Sequence, residues 1–245
     1  MWRKVPTLAL ALVIPALSGC GAPVSDGSPL DARGALARPA AARPASTSVP
    51  VAEDPVVVFL GDSLTAGLGL DEDQAYPAVI ERELQAAGTQ ARVINAGVSG
   101  DTSAGGLSRL PWLLGQHPDV IVVALGANDG LRGLPTEETE KNLREIVRRG
   151  QEAGARMLLL GMKMPPNYGP DYTGRFEAMY PRIAKELNVP LVPFLLEGVG
   201  GVSSLNQEDG LHPTAEGQEI LARNVLPYLE EVLQAEAEKE QALVR

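Results

Sequence analysis

Val56-Val57-Val58-Phe59-Leu60 runs directly into Gly61-Asp62-Ser63-Leu64, and this junction sets the frame for the whole chain. Five consecutive apolar residues, the first three β-branched, fit a strand covered on both faces, the kind found inside parallel sheets. A serine immediately behind such a strand stands at its carboxyl end, where open α/β sheets gather their ligands. Glycine at 61 and the short, turn-prone Asp62 allow the backbone to bend sharply and lift the hydroxyl into a crevice. A hydroxyl alone is a weak nucleophile, so this reading requires a base and oxyanion donors elsewhere in the sequence.

Working outward, apolar runs alternate with helical patterns. Strands are predicted at Val56–Leu60, Arg92–Ala96, Val120–Leu125, Met157–Gly161 and Leu191–Phe194, and helices near Tyr76–Ala87, Ala104–Gly115, Thr136–Ala153 and Gly174–Leu187. A last helix runs from Thr214 into the Glu-rich tail. The segment from Thr136 shows the pattern well. Thr136 is placed to cap a first turn carrying Glu137, Glu138 and Glu140, and Arg144, Arg148 and Arg149 come later, before a terminating Gly154. That charge order suits the helix dipole. Leu143, Ile146 and Val147 form the stripe that faces a sheet. The alternation predicts an α/β fold, a parallel sheet of about five strands between two helical layers, joined by right-handed crossovers.

The chain has 245 residues, enough for one well-buried domain plus extensions. Its formal net charge of −10 argues against nucleic-acid binding, which calls for a basic face. Residues 1–19 read as an export signal, with Arg3 and Lys4 ahead of an apolar stretch, Val5 to Leu17, that is too short to span a bilayer. Leu17-Ser18-Gly19-Cys20 resembles a bacterial lipobox, and Cys20 is the sole cysteine, so it has no disulfide partner within the chain. Removing residues 1–19 takes away two basic residues and no acidic ones, so 19 against 31 leaves −12. Gly21 after the cysteine resembles cargo sorted to the outer membrane, facing the periplasm. Residues 20–54, rich in Ala, Pro, Ser and Gly, read as a tether from the lipid anchor. The folded domain is expected over 55–235, with a charged tail at 236–245.

Only two histidines, His117 and His212, can serve as the base. His117 precedes a predicted strand and so belongs at the amino edge of the sheet, away from Ser63. His212, in Asp209-Gly210-Leu211-His212-Pro213, follows the last strand and can fold over the carboxyl ends. Asp209 is three residues from it, and a compact turn at Gly210 lets its carboxylate orient the imidazole. Glu208 is the rival carboxylate, with a longer side chain needing more restraint. Two loops emerge on the same edge: Asn95 to Thr102 after the second strand, and Gly126-Ala127-Asn128-Asp129-Gly130 after the third. The Gly100 N–H, the Asn128 amide and the N–H of Ser63 itself are the candidate oxyanion donors. Asp62, Asp101 and Asp129 adjoin these residues and are expected to hydrogen-bond loop backbone.

Four blocks in order, Gly61-Asp62-Ser63-Leu64, Ser99-Gly100-Asp101-Thr102, Gly126-Ala127-Asn128-Asp129-Gly130 and Asp209-Gly210-Leu211-His212-Pro213, resemble the ordered blocks of the SGNH (GDSL) hydrolase family. The likeness runs from Val56 to about Leu229. It is nearest to a branch of bacterial periplasmic acyl hydrolases with thioesterase, arylesterase and lysophospholipase activities, which Leu107-Ser108-Arg109-Leu110-Pro111 and Pro165-Pro166-Asn167-Tyr168-Gly169 also match. The resemblance implies a flavodoxin-like α/β/α sandwich, Ser63 as nucleophile, and His212 as base oriented by Asp209. It implies an oxyanion hole of Ser63, Gly100 and Asn128; separately, no metal or other cofactor is expected, since two separated histidines and one cysteine offer no zinc spacing. The lipobox and tether depart from the branch and point to an anchored enzyme.

For substrate, Leu68, Leu70, Leu131, Met162, Met164, Pro165 and Tyr168 lie on loops of the same edge. Leu131, Met164, Pro165 and Tyr168 are the chief candidates for an apolar acyl groove. Met164–Tyr172, with four residues Pro or Gly, is a candidate lid. The expected partner is a small acyl ester or lysophospholipid. Two other readings stand beside the esterase: an envelope carbohydrate deacetylase, and an anchored binding module without turnover. There is no G-x-S-x-G elbow, nucleotide-binding fingerprint or zinc spacing.

Overall fold

A computed structural model of the protein describes the backbone of residues 54–243 and side chains to 235. The signal segment, Cys20 and all but the end of the tether lie outside the described residues. In chain order the elements are β1 (Val56–Gly61), α1 (Ser63–Ala66), α2 (Tyr76–Ala86), β2 (Arg92–Gly97), α3 (Ser103–Leu114), β3 (Val120–Ala124), α4 (Ala127–Leu131), α5 (Thr136–Glu152), β4 (Arg156–Leu160), α6 (Pro170–Leu187), β5 (Leu191–Val192) and α7 (Ala215–Leu243).

The five strands form one parallel sheet in the order β2-β1-β3-β4-β5. Val57 to Leu60 of β1 and Val120 to Val123 of β3 are fully buried, which is why those strands read as unbroken apolar runs. Helices α3, α5 and α6 pack together, and α2 packs on α7, giving the two outer layers around the sheet. The chain leaves β1 toward β2, then returns to place β3 on the other side of β1. The order therefore reverses between β1 and β3, and the crevice at that switch point is the natural ligand site. Ser63 follows the first of these strands and Asn128 the second.

Boundaries moved where proline intervenes. β5 stops at Val192 instead of 194 because Pro193 has no N–H to donate. Pairing resumes beyond it, with Leu195 N donating to Gly161 O at 2.9 Å. Helix α6 starts at Pro170, four residues before the expected Gly174, since proline is well suited to the first helical position. In α5 the cap position is held by Pro135, and Thr136 makes no capping bond; it is buried as the first helical residue. The rest of that helix follows the sequence reading. Leu143, Ile146 and Val147 are fully buried, and Gly154 ends the helix at φ +91°. Helix α7 continues to Leu243, through the boundary expected after 235.

Two glycines set how closely α1 lies on the sheet. A Cβ on Gly61 would stand 1.9 Å from Thr65 Oγ1, and one on Gly97 would stand 2.3 Å from Ala66 N. Gly61 is therefore needed for close approach, not for the backbone bend the sequence suggested, as it is absent from the positive-φ glycines. At Gly97 the obstacle is backbone, which cannot swing aside. Gly97→Ala is expected to push α1 off the sheet, costing roughly 1–3 kcal/mol or more. Its denaturation midpoint should fall accordingly.

Candidate active site

Ser63 is the first residue of α1 and lies at the edge of burial, 9% exposed. Asp62 caps that helix, its Oδ1 accepting the Leu64 N–H at 3.0 Å. The Ser63 Oγ lies 2.8 Å from His212 Nε2, and His212 Nδ1 lies 2.5 Å from Asp209 Oδ2. Hydroxyl, imidazole and carboxylate thus form one continuous hydrogen-bonded chain. Asp209 Oδ1 also accepts the backbone N–H groups of Leu211 at 2.9 Å and His212 at 3.0 Å. The N–H bonds from His212 and Leu211, together with the imidazole, hold the Asp209 carboxyl far below its ordinary range. Asp209 consequently stays ionised deep into acid, and a loss of activity on the acid side must come from another group.

The turn carrying this pair is built locally and then clamped. Asn206 and Pro213 form an antiparallel bridge, Gln207 N donates to His212 O at 2.7 Å, and Gly210 takes φ +68° at the bend. The Gln207 amide donates to Leu68 O at 2.7 Å, tying the histidine turn to the loop behind α1. Buried Gln218 of α7 donates to Leu64 O at 3.1 Å and accepts from Tyr76 N at 2.9 Å, fixing α1 between α2 and α7. Neither glutamine carries a sequence signal, because each acts on residues more than 130 positions away. His117 sits at the amino end of the sheet, in the turn before β3, as expected.

Asn128 is the second residue of α4, and its Nδ2 donates to Asp62 Oδ2 at 3.3 Å. Gly100 has φ +80°, and its carbonyl accepts from Arg132 Nη2 at 2.8 Å, so the β2–α3 loop is tied to the end of α4. A second tie is buried. Asp129 accepts from Ser103 N at 2.8 Å and Ser103 Oγ at 2.6 Å, with Thr139 Oγ1 at 3.3 Å. The three aspartates divide their work differently from the expectation. Asp62 and Asp129 accept backbone N–H groups from the first turns of helices α1 and α3, not from loops, each with side-chain donors as well. Asp101 pairs with Arg109 Nε at 2.7 Å, and Arg109 Nη2 donates to Gly61 O at 2.9 Å.

A cavity of ≈ 520 Å³ opens over Ser63, Asn128 and His212. Leu131, Met162, Met164 and Pro165 line it, and Gly100 is not among the lining residues. Tyr168, expected in the wall, is not among the lining residues. Its hydroxyl donates to Leu131 O at 2.9 Å and its ring stacks on Tyr172. Leu68 and Leu70 are likewise not in the lining. Sequence reasoning missed the opposite wall, Phe194, Leu196, Gly200, Gly201 and Leu211, between β5 and α7. Its only signal was the apolar Phe194-Leu195-Leu196, which the sequence reading had partly assigned to the strand. The candidate lid is anchored at its far end: Tyr172 lies inside α6 and donates to Leu134 O at 2.8 Å.

Known proteins resemble this chain over most of its described residues. The pattern of the GDSL-like Lipase/Acylhydrolase family matches residues 59–220. The chain is 46% identical to Esterase TesA of Pseudomonas aeruginosa over 178 residues, covering 72% of this chain and 89% of that protein. It is 44% identical to the "Thioesterase 1/protease 1/lysophospholipase L1" of Escherichia coli over 167 residues, covering 68% and 79%. The crystal structure of TesA superposes with a TM-score of 0.70 at 45% identity, over 72% of this chain and 99% of that one. The chain belongs to the GDSL-like lipase/acylhydrolase family.

Proposed function

We propose that this protein is a serine esterase that hydrolyses acyl esters, of the arylesterase, lysophospholipase or thioesterase type, through an acyl-enzyme. The observation that carries the reading is the Ser63–His212–Asp209 hydrogen-bonded chain opening into an apolar-walled cavity. His212 Nε2 takes the Ser63 proton as Oγ attacks the substrate carbonyl, and Asp209 keeps Nδ1 protonated and the ring in place. Negative charge then collects on the carbonyl oxygen, where the Ser63 N–H, the Asn128 amide and the Gly100 N–H serve as donors. Collapse expels the alcohol or thiol, which takes the proton from His212. Water, activated by the same imidazole, adds to the acyl-enzyme and releases the carboxylic acid.

Relatives named esterase, thioesterase and lysophospholipase support this class of substrate. A cavity of ≈ 520 Å³ lined by Leu, Met, Pro and Phe side chains suits a medium or long acyl chain. Export and lipidation at Cys20 belong to the same proposal; they would bring the enzyme to envelope esters and lysophospholipids, whereas acyl-CoA is cytosolic. Mass spectrometry of the mature amino terminus tests that part, with a diacylated Cys20 as the expected product. For the activity, p-nitrophenyl esters from acetate to palmitate, run beside a lysophospholipid and an acyl-CoA, give the test. Octanoate or longer esters are expected to exceed acetate in kcat/KM. A preference for acetate would instead favour the deacetylase reading, and failure of a fluorophosphonate probe to label Ser63 would leave the binding module.

A further inference from the structure

The proton relay makes no use of the carboxyl group nearest to it. Asp62 stands between the last residue of β1 and Ser63, is 1% exposed, and uses its two oxygens separately. Oδ1 holds the Leu64 N–H, while Oδ2 accepts the Asn128 Nδ2. Burial pushes this carboxyl up from 3.8 to about 6, opposed by the Leu64 N–H, by His212 and by the Asn128 amide, with Asp101 adding to the rise. The ionisable groups facing it are His212 from the turn before α7, Asp101 after β2 with its Arg109 partner on α3, and the phenols of Tyr76 on α2 and Tyr180 on α6.

An asparagine side chain has two ends of nearly equal shape, one a donor and one an acceptor, so packing alone cannot choose between them. An ionised carboxylate can only accept. It therefore draws Nδ2 toward itself, occupies one N–H, and leaves the second N–H for the cavity. A protonated carboxyl can donate, and then admits Oδ1 at the same place. In that flipped state a carbonyl lone pair meets the oxygen on which negative charge develops, replacing a donor with a repulsion. When His212 takes up the Ser63 proton, its positive charge favours the ionised form of Asp62, so the lock is strongest as the reaction proceeds.

We propose that Asp62 is a positioning residue whose buried carboxylate selects the end of the Asn128 amide presented to the reacting carbonyl. The proposal rests on Asn128 as an oxyanion donor, and a double-mutant cycle separates the two claims. Asp62→Asn, which keeps the shape and removes the charge, is expected to lower kcat about tenfold or more with KM within roughly threefold. In the Asn128→Ala background the same change should cost less than about twofold, because the amide it orients is gone. Equal losses in both backgrounds overturn the proposal alone. Normal turnover in Asn128→Ala removes the oxyanion reading and this one with it.

Should Asp62→Asn fail to fold, the wild-type protein decides by NMR. The Asn128 side-chain amide resonances are expected to move with a midpoint near 6 in wild type, and to move still, at higher pH, in His212→Ala, where the imidazole neither contributes nor holds Asp62 down. Amide resonances that stay fixed from pH 5 to 8 in that variant overturn the assignment. In kcat, the lock is made above the midpoint and lost below it, so the acid-side decline of wild type should be steeper than that of Asp62→Asn, which keeps only the loss of the free His212 base.

Discussion

Ser63→Ala and His212→Ala are each expected to lower kcat on the order of 10⁶-fold, and the double variant should be no slower than either single one. The reason is the 2.8 Å contact between Oγ and Nε2. A serine without its base keeps its proton and is a poor nucleophile, and a base without its serine has no covalent partner. Either loss removes the acyl-enzyme route altogether, so the second loss has nothing left to remove. Asp209→Asn should cost less, roughly 10⁴-fold, because an amide can still occupy the turn but stabilises neither the tautomer nor the imidazolium. Residual activity should remain above that of water, since the oxyanion donors and the cavity are untouched. The measurement is kcat on one octanoate ester for the four variants, with folding checked by circular dichroism. Multiplicative losses in the double variant would show that Ser63 and His212 act in separate steps and would end the relay reading.

The sequence carried some of this arrangement plainly and hid the rest for identifiable reasons. Strands β1 and β3 were legible because both their faces are buried, and that leaves no polar alternation to confuse the pattern. Helix α5 was legible because its charges follow its dipole and its apolar stripe is complete. Helix α4 was not: Gly126-Ala127-Asn128-Asp129-Gly130 has the composition of a turn. It forms a short helix because Gly126 adopts φ +112° under the Tyr180 hydroxyl, which would lie 2.4 Å from any Cβ there. Asn128 is thus held on a helix instead of a loop. In the site, elimination pointed to His212, since only one of two histidines was expected on the correct edge, and its imidazole does lie 2.8 Å from the Ser63 hydroxyl. The clamps by Gln207 and Gln218 and the Asp62–Asn128 bond are contacts between distant segments, which no local pattern encodes. Tyr168 was misplaced for the opposite reason. Its neighbours Met164 and Pro165 do line the cavity, but the Pro166–Tyr168 turn of 3₁₀ helix carries its hydroxyl away to Leu131 O.

Asn128→Ala is the second large effect expected, a drop in kcat of roughly 10²–10³ with KM nearly unchanged. Asn128 sits at the carboxyl end of β3, beside Ser63 across the switch point, and its amide borders the cavity. A ground-state ester carbonyl is a weak acceptor, so the amide contributes little to substrate binding. The tetrahedral oxyanion is a strong acceptor, so the same N–H contributes most once the C–O bond has gained its negative charge, and that asymmetry confines the loss to kcat. Alanine fits the helical conformation at 128, so the fold should persist. The change would nevertheless free Asp62 Oδ2 of its only side-chain donor among the described residues, which favours protonation of a carboxyl already raised by burial. Stability of Asn128→Ala should accordingly fall more at pH 8 than at pH 5, because the unpaired group is charged only at the higher value. A kcat within threefold of wild type, in a protein that unfolds normally, would leave the oxyanion to the backbone donors of Ser63 and Gly100 alone.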